Sequence, residues 1–245
     1  MRGDSSIFTV NLRINLMQNS IYVNKAMKNE KTLIYFVPGL AAGKEIFRNI
    51  TLDEKCFEIH IIEWIIPNKK ESLAEYAKRM AEKISEENIV LIGVSFGGVV
   101  AQEMQQFLKV KKLIIISSVK TKYELPKRLK FVAKTKLYKV MPTGLLLSAD
   151  DLTKYAIGPR SRKRLKIYQE YLHVRDKNYL DWAIKNMVCW NRSEALPEIQ
   201  HIHGNADNVF PIKNIENCLV VEGGTHIMLL NKGSVISEKI ETLLK

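Results

Sequence analysis

The stretch Asn88-Ile89-Val90-Leu91-Ile92-Gly93-Val94-Ser95-Phe96-Gly97-Gly98-Val99-Val100-Ala101 runs apolar and β-branched up to a serine and then changes at once into residues suited to a helix. The first half has the length and composition of a buried strand. A Gly-x-Ser-x-Gly sequence lets such a strand reverse into a helix within about one residue, because Gly93 and Gly97 leave the turn room while the residue between them takes strained backbone. Ser95 should then stand clear of the sheet with its hydroxyl exposed. The amides that open the following helix point toward charge developing beside it. Ser95 therefore reads as a nucleophile. An idle serine on a glycine-rich turn is the competing reading, weakened by the strand before it and the helix-compatible residues 98–108 after it.

Outward from this turn, the same rhythm repeats. Residues 32–37 form an apolar run that ends in Pro38-Gly39, and residues 56–64, 112–117, 200–204 and 218–221 supply further strands. Between them, residues 72–85 place Leu73, Tyr76, Ala77, Met80 and Ile84 at helical spacing, and a last helix is expected over residues 234–244. Strand and helix in alternation, with strands apolar on both faces, predict a mostly parallel, doubly wound α/β sheet. Near the N-terminus, Val10, Leu12, Ile14 and Leu16 alternate with polar residues as a half-buried strand would. An unordered arm is the alternative there.

A length of 245 residues suits one α/β core carrying an insertion. The rhythm breaks over residues 120–192, which show no clear strand but contain basic helical stretches at 127–140 and 162–174. The expected organisation is thus a core of residues 1–119 and 193–245 with a helical cap, or lid, of residues 120–192. The formal net charge of +12 sits in that insertion: it carries 18 Lys and Arg against 6 Asp and Glu, while the remainder has 20 of each. Cys56, Cys189 and Cys218 are odd in number and widely spaced, so neither a disulfide framework nor a zinc site is expected, and all three read as reduced, mostly buried thiols. No apolar run is long enough to span a membrane and no signal sequence is evident, which points to a cytoplasmic protein.

A serine needs a base within hydrogen-bond reach and a carboxylate to orient that base. Ile202-His203-Gly204-Asn205-Ala206-Asp207 ends a strand with a glycine and then an aspartate, and Glu222-Gly223-Gly224-Thr225-His226 puts a histidine on a loop before the last helix. Either residue alone could be a turn cap or a satisfied loop histidine; together they follow the order serine, acid, histidine. His201-x-His203 with Asp207 could be imagined as metal ligands, but no third ligand stands at metal-site spacing, and no metal or cofactor is expected. His60 and His173 carry no motif.

With these three segments the chain resembles the α/β-hydrolase fold superfamily from Thr32 to the C-terminus. The resemblance implies Ser95 as nucleophile, His226 as general base and acid, Asp207 as the residue that holds the imidazole, and the backbone amides of Leu40 and Phe96 as an oxyanion hole. Two departures stand out: Pro38-Gly39 replaces the His-Gly found in many relatives, and the N-terminal hairpin is short or unclear. Phe47, Met141, Leu145 to Leu147, Trp182, Trp190 and Met228, with Leu40 and Phe96, are candidate pocket walls.

The function so implied is hydrolysis of a carboxylic ester or thioester, with aminopeptidase, lactonase and lyase chemistry open on the same triad. The basic cap suggests a small-molecule acyl substrate that is anionic, or an anionic surface beneath it. A ligand- or partner-binding protein on a hydrolase scaffold is the alternative class. Nucleic-acid binding through Arg160, Arg162, Lys163, Arg164 and Lys166 is a minor one, because Tyr155, Tyr168 and Tyr171 are spaced for packing.

Overall fold

The computed structural model describes residues 31–139 and 174–245. Six strands, β1 (Thr32–Val37), β2 (Phe57–Ile61), β3 (Ile89–Val94), β4 (Val110–Ile116), β5 (Gln200–Gly204) and β6 (Leu219–Val221), form one sheet in the order β2-β1-β3-β4-β5-β6. Every neighbouring pair is parallel. Helices α1 (Leu73–Ala81), α2 (Phe96–Met104), α3 (Lys127–Thr135), α4 (Lys177–Val188) and α5 (Gly233–Leu244) connect or follow them.

Side-chain alternation along the strands divides the core into two layers. Tyr35, Val37, Ile89 and Leu91 point to one face, where they meet Tyr76 and Met80 of α1, Val99 and Val100 of α2, and Tyr179, Leu180 and Ala183 of α4. Ile34, Phe36, Val90, Ile92, Ile114, Ile116 and Ile202 point to the other, against Ile236 and Ile240 of α5. With all six of its residues buried, β3 is the centre of the sheet. The chain leaves β1 toward β2 on one side and returns to β3 on the other, so the carboxyl ends of β1 and β3 flank a topological switch point, the place where parallel sheets open a crevice.

Local chemistry sets the element ends. Ser72 caps α1 in a reciprocal box with Glu75, and Asp176 caps α4 by accepting from the Tyr179 amide. The basic helix expected over 127–140 stops at Thr135, because Lys136 turns left-handed at φ 56°. Helix α4 was not singled out in the sequence, although the Asp176 cap and the spacing of Tyr179, Leu180, Ala183 and Met187 signal it. It packs in the core layer beside α1 and α2. The thiols require a correction: Cys56 and Cys189 are exposed and Cys218 is half-buried, all three free. The expected N-terminal strand, the 162–174 helix, its basic cluster and tyrosines, His173, Met141 and Leu145 to Leu147 lie outside the described residues, apart from Val174. Among the described residues no helix is long and apolar enough to cross a membrane.

Candidate active site

Ser95 joins β3 to α2 with φ 53° and ψ −121°, a conformation an L-residue adopts only under constraint. The constraint is close packing. A Cβ on Gly93 would collide with the backbone of Gly97 and Gly98, and one on Gly97 with the backbone of Val37 and Pro38. The strained backbone is held from both sides: the Ser95 amide donates to the Ile116 carbonyl at 2.9 Å, and the Ser95 carbonyl accepts from Ser118 Oγ at 2.7 Å and from the Gly98 amide at 2.9 Å.

The turn after β5 and the loop after β6 bring the other two groups over the same edge. Gly204 packs so tightly on Gly224 that a side chain on the former has no room. This contact, with the Ala206 amide donating to the Gly224 carbonyl at 2.9 Å, fixes the Asp207 turn against the His226 loop. Ser95 Oγ lies 2.9 Å from His226 Nε2, and His226 Nδ1 lies 2.9 Å from Asp207 Oδ2. Asp207 is fully enclosed, whereas the His226 side chain keeps 12 % of its surface. The second carboxylate oxygen, Oδ1, accepts from the Val209 amide at 2.7 Å and the Phe210 amide at 2.9 Å. Burial alone would push the Asp207 carboxyl up, but His226, the Phe210 amide and His203 outweigh it and hold the group below the usual carboxylate range. A serine hydroxyl bonded to an imidazole that is itself bonded to a buried carboxylate can give up its proton as it attacks a carbonyl.

The loop after β1 passes over the serine. A Cβ on Gly39 would lie 3.6 Å from Ser95 Cβ. Among the described residues no backbone carbonyl accepts from the Leu40 or Phe96 amide.

Of the proposed pocket walls, Trp182 packs edge-on to Phe96 at 6.0 Å, in an aromatic cluster with Trp64, Tyr76 and Tyr179. Phe47 and Met228 sit in the opposite core layer, Phe47 against Phe36. Trp190 bonds Glu103 through its indole N–H at 3.0 Å and lines a polar cleft of about 580 Å³ with Leu73, Cys189 and Arg192, at the far end of α2 from Ser95. Trp64 was not singled out in the sequence; its indole N–H donates to the Gly39 carbonyl at 3.0 Å.

His201 and His203 bond each other rather than a shared third group, Nε2 to Nδ1 at 3.1 Å. His203 Nε2 lies 2.8 Å from the Phe210 carbonyl, an acceptor only, so it carries the proton; Nδ1 then accepts from His201 Nε2–H. That leaves His201 Nδ1 bare, and it is buried without a partner among the described residues. Burial lowers both rings below the ordinary histidine range, the neighbouring ring and Lys120 adding to it at His201, while Asp207 and the Phe210 carbonyl partly oppose it at His203. Below about pH 6.5 the unfolded chain binds more protons on these histidines than the folded state does, so each lowers stability as pH falls, by at most about 1.4 kcal/mol per pH unit. Urea unfolding should therefore show wild-type stability falling between pH 7 and 5.5. His201→Gln should fall less steeply, and equal slopes would refute a neutral, buried His201.

No protein-family model and no curated protein matches the sequence. Solved structures do match. A bromoperoxidase from Bacillus anthracis is 13 % identical with a TM-score of 0.64, over 88 % of this chain and 92 % of that one. An esterase from Exiguobacterium antarcticum is 15 % identical with a TM-score of 0.65, over 89 % and 93 %. A lipase-esterase related protein from Clostridium acetobutylicum is 17 % identical with a TM-score of 0.61, over 86 % and 94 %.

Proposed function

The chain has the α/β-hydrolase fold, and on that scaffold we propose that it is a serine hydrolase cleaving a carboxylic ester or thioester through an acyl-enzyme. The observation that carries this reading is the unbroken hydrogen-bond line from Ser95 Oγ through His226 to the enclosed Asp207, set at a strained strand-to-helix turn. His226 Nε2 takes the Ser95 proton as Oγ attacks the carbonyl carbon, and the tetrahedral oxyanion is received by the Leu40 and Phe96 amides. The protonated ring then passes its proton to the departing alkoxide or thiolate, and Ser95 is left acylated. Water, deprotonated by the same nitrogen, attacks the acyl group, and collapse of the second intermediate returns the proton to Ser95. Asp207 stays ionised throughout, in keeping with its lowered carboxyl, and fixes which ring nitrogen faces the serine. Structural neighbours named as an esterase and a lipase-esterase related protein lend weight to the reaction class.

Of the expected cap, residues 120–192, α4 packs into the core layer, and α3 is the described helix read as cap. It exposes Lys127, Lys130 and Lys134, and Arg128 donates to the carbonyls of Asn208 and Val209, which moors this positive helix beside the Asp207 turn. That placement favours an anionic acyl substrate.

Intact mass after treatment with a serine-directed fluorophosphonate tests the reading. One adduct is expected on the wild type and none on Ser95→Ala, with hydrolysis of a short ester or thioester lost in the same variant. A folded wild type that takes no adduct and hydrolyses neither short esters nor short thioesters refutes it. Carboxylate-bearing acyl chains should outpace neutral ones at low salt and lose that advantage at high salt.

A further inference from the structure

We infer that Trp64 is a positioning residue that aims the Leu40 amide into the oxyanion hole, an inference that rests on the hydrolase reading above. The argument begins with one peptide unit. The Gly39 carbonyl and the Leu40 N–H belong to the same planar group, and the described chain has no cis peptide bond, so the two point in opposite directions. Whatever holds the Gly39 oxygen on one side therefore aims the Leu40 hydrogen to the other. Two donors hold that oxygen: the Ala42 amide at 3.0 Å, across a tight turn that sets Ala41 at φ 63°, and Trp64 Nε1 at 3.0 Å. The first is local to the loop and moves with it. The second comes from the segment after β2 and ties the loop to the body of the molecule.

Trp64 is itself fixed. The neighbouring Ile65 is pinned at both backbone groups by one hydroxyl: Tyr76 Oη donates to its carbonyl at 2.8 Å and accepts from its amide at 3.1 Å. Tyr76 is fully buried. The Trp64 ring stacks on Phe96 at 5.8 Å and 28° and packs against Tyr179 at 5.4 Å. Phe96 carries the other proposed oxyanion donor on its own amide, so a single indole braces one half of the hole by a hydrogen bond and the other by ring contact. The Ala41 carbonyl accepts from the Val174 amide at 3.1 Å, a further tie of this loop to the body of the molecule. Pro38, ahead of Gly39, offers no side-chain donor to the loop; the brace comes from an indole on the connection that follows β2.

Trp64→Phe keeps an aromatic ring for the stack and deletes the donor, which frees the Gly39 to Leu40 peptide to turn. Losing a whole oxyanion donor costs about 10² to 10³ in kcat; losing the brace that aims one should cost about 10- to 100-fold. The expected pattern is that loss in kcat with KM within about twofold, an unchanged pH profile, and a parallel rise in Ki for a trifluoromethyl ketone, whose hemiketal oxygen occupies the same hole. Rates are taken per fluorophosphonate-titrated site, so that misfolded protein does not count. Trp64→His, which restores a ring N–H, should recover part of the loss. Wild-type kcat and ketone affinity per titrated site in Trp64→Phe overturn the role, as does a loss found only in the titratable fraction and the melting temperature of both variants. A wild type without Ser95-dependent turnover removes the hydrolase premise itself, and is told apart because it fails before any Trp64 variant is compared.

Discussion

Asp207→Asn should lower kcat on an ester by about 10⁴ while leaving the fold in place, the size of effect expected when a triad histidine is held in the wrong tautomer. The geometry here decides which way the new amide must face. Oδ1 of Asp207 accepts from two backbone amides, Val209 and Phe210. An asparagine can satisfy both only with its carbonyl oxygen, so its NH₂ is turned toward His226 Nδ1, where the aspartate presents Oδ2. A donor there makes Nδ1 the acceptor, and the ring proton moves to Nε2, which then has no lone pair to take the Ser95 proton. The turn itself is spared, since both of its hydrogen bonds survive and His203 still holds the Phe210 carbonyl. Asp207→Ala lacks that redundancy: it strips the acceptor from the half-buried Val209 amide and the buried Phe210 amide, at about 1–3 kcal/mol for the buried one, and so mixes stability with chemistry. Steady-state rates beside melting curves separate the two variants. Retention of more than about 1 % of kcat in a well-folded Asp207→Asn would mean that Asp207 does not orient the ring, contrary to the tautomer mechanism.

What could be read from the chain follows from how local each feature is. The strand at residues 32–37 and the turn at Ser95 are written in contiguous residues, because an apolar run and two glycines dictate backbone shape without reference to the rest of the molecule. Asp207 and His226 were legible only as members of an ordered set, each placed just after a strand. The sheet order then brings those strand ends to one edge. Trp64 was not legible. Nothing in Glu63-Trp64-Ile65 announces a hydrogen bond to residue 39; it arises because β1 and β2 are neighbours in parallel register, with Phe36 opposite Ile61, so the segments after both strands run out together. The pocket walls suffered from the same limit in the other direction. Phe47 and Met228 stand on short 3₁₀ turns whose side chains enter the layer shared with α5, and no periodicity indicates which face of the sheet such a turn will meet. His201 and His203, two positions apart on one strand face, share a hydrogen bond that only the packed strand reveals.

Gly97→Ala should abolish cooperative folding, and the reason joins the fold to the chemistry. A Cβ at this position meets the carbonyl oxygens of Pro38 and Val37 and lies 2.9 Å from the Val37 carbonyl carbon, closer than real side chains approach. All of these are backbone atoms, and Val37 is paired to Gly93 in the centre of the sheet, so no rotamer change relieves the overlap. Either α2 lifts away from β1 or the two central strands part, and both strip buried surface from Phe96, Val99 and Val100. A loss above about 4 kcal/mol is expected, in the range reserved for buried backbone collisions and similar defects. Gly39→Ala is the contrasting case: its Cβ would rest 3.6 Å from Ser95 Cβ and 3.7 Å from the Val94 oxygen, ordinary contact distances, and its φ lies outside the left-handed region. It should melt within a few degrees of wild type, a shift of about 1 kcal/mol or less. The two glycines thus do different work. Gly97 is bare so that the first turn of α2 can cross the end of β1, which is the approach that brings the Phe96 amide beside the loop carrying the Leu40 amide. A soluble Gly97→Ala protein with a wild-type melting transition would show that the helix can sit farther from β1 than this contact allows, and the proposed pairing of the two amides around one oxyanion would fail with it.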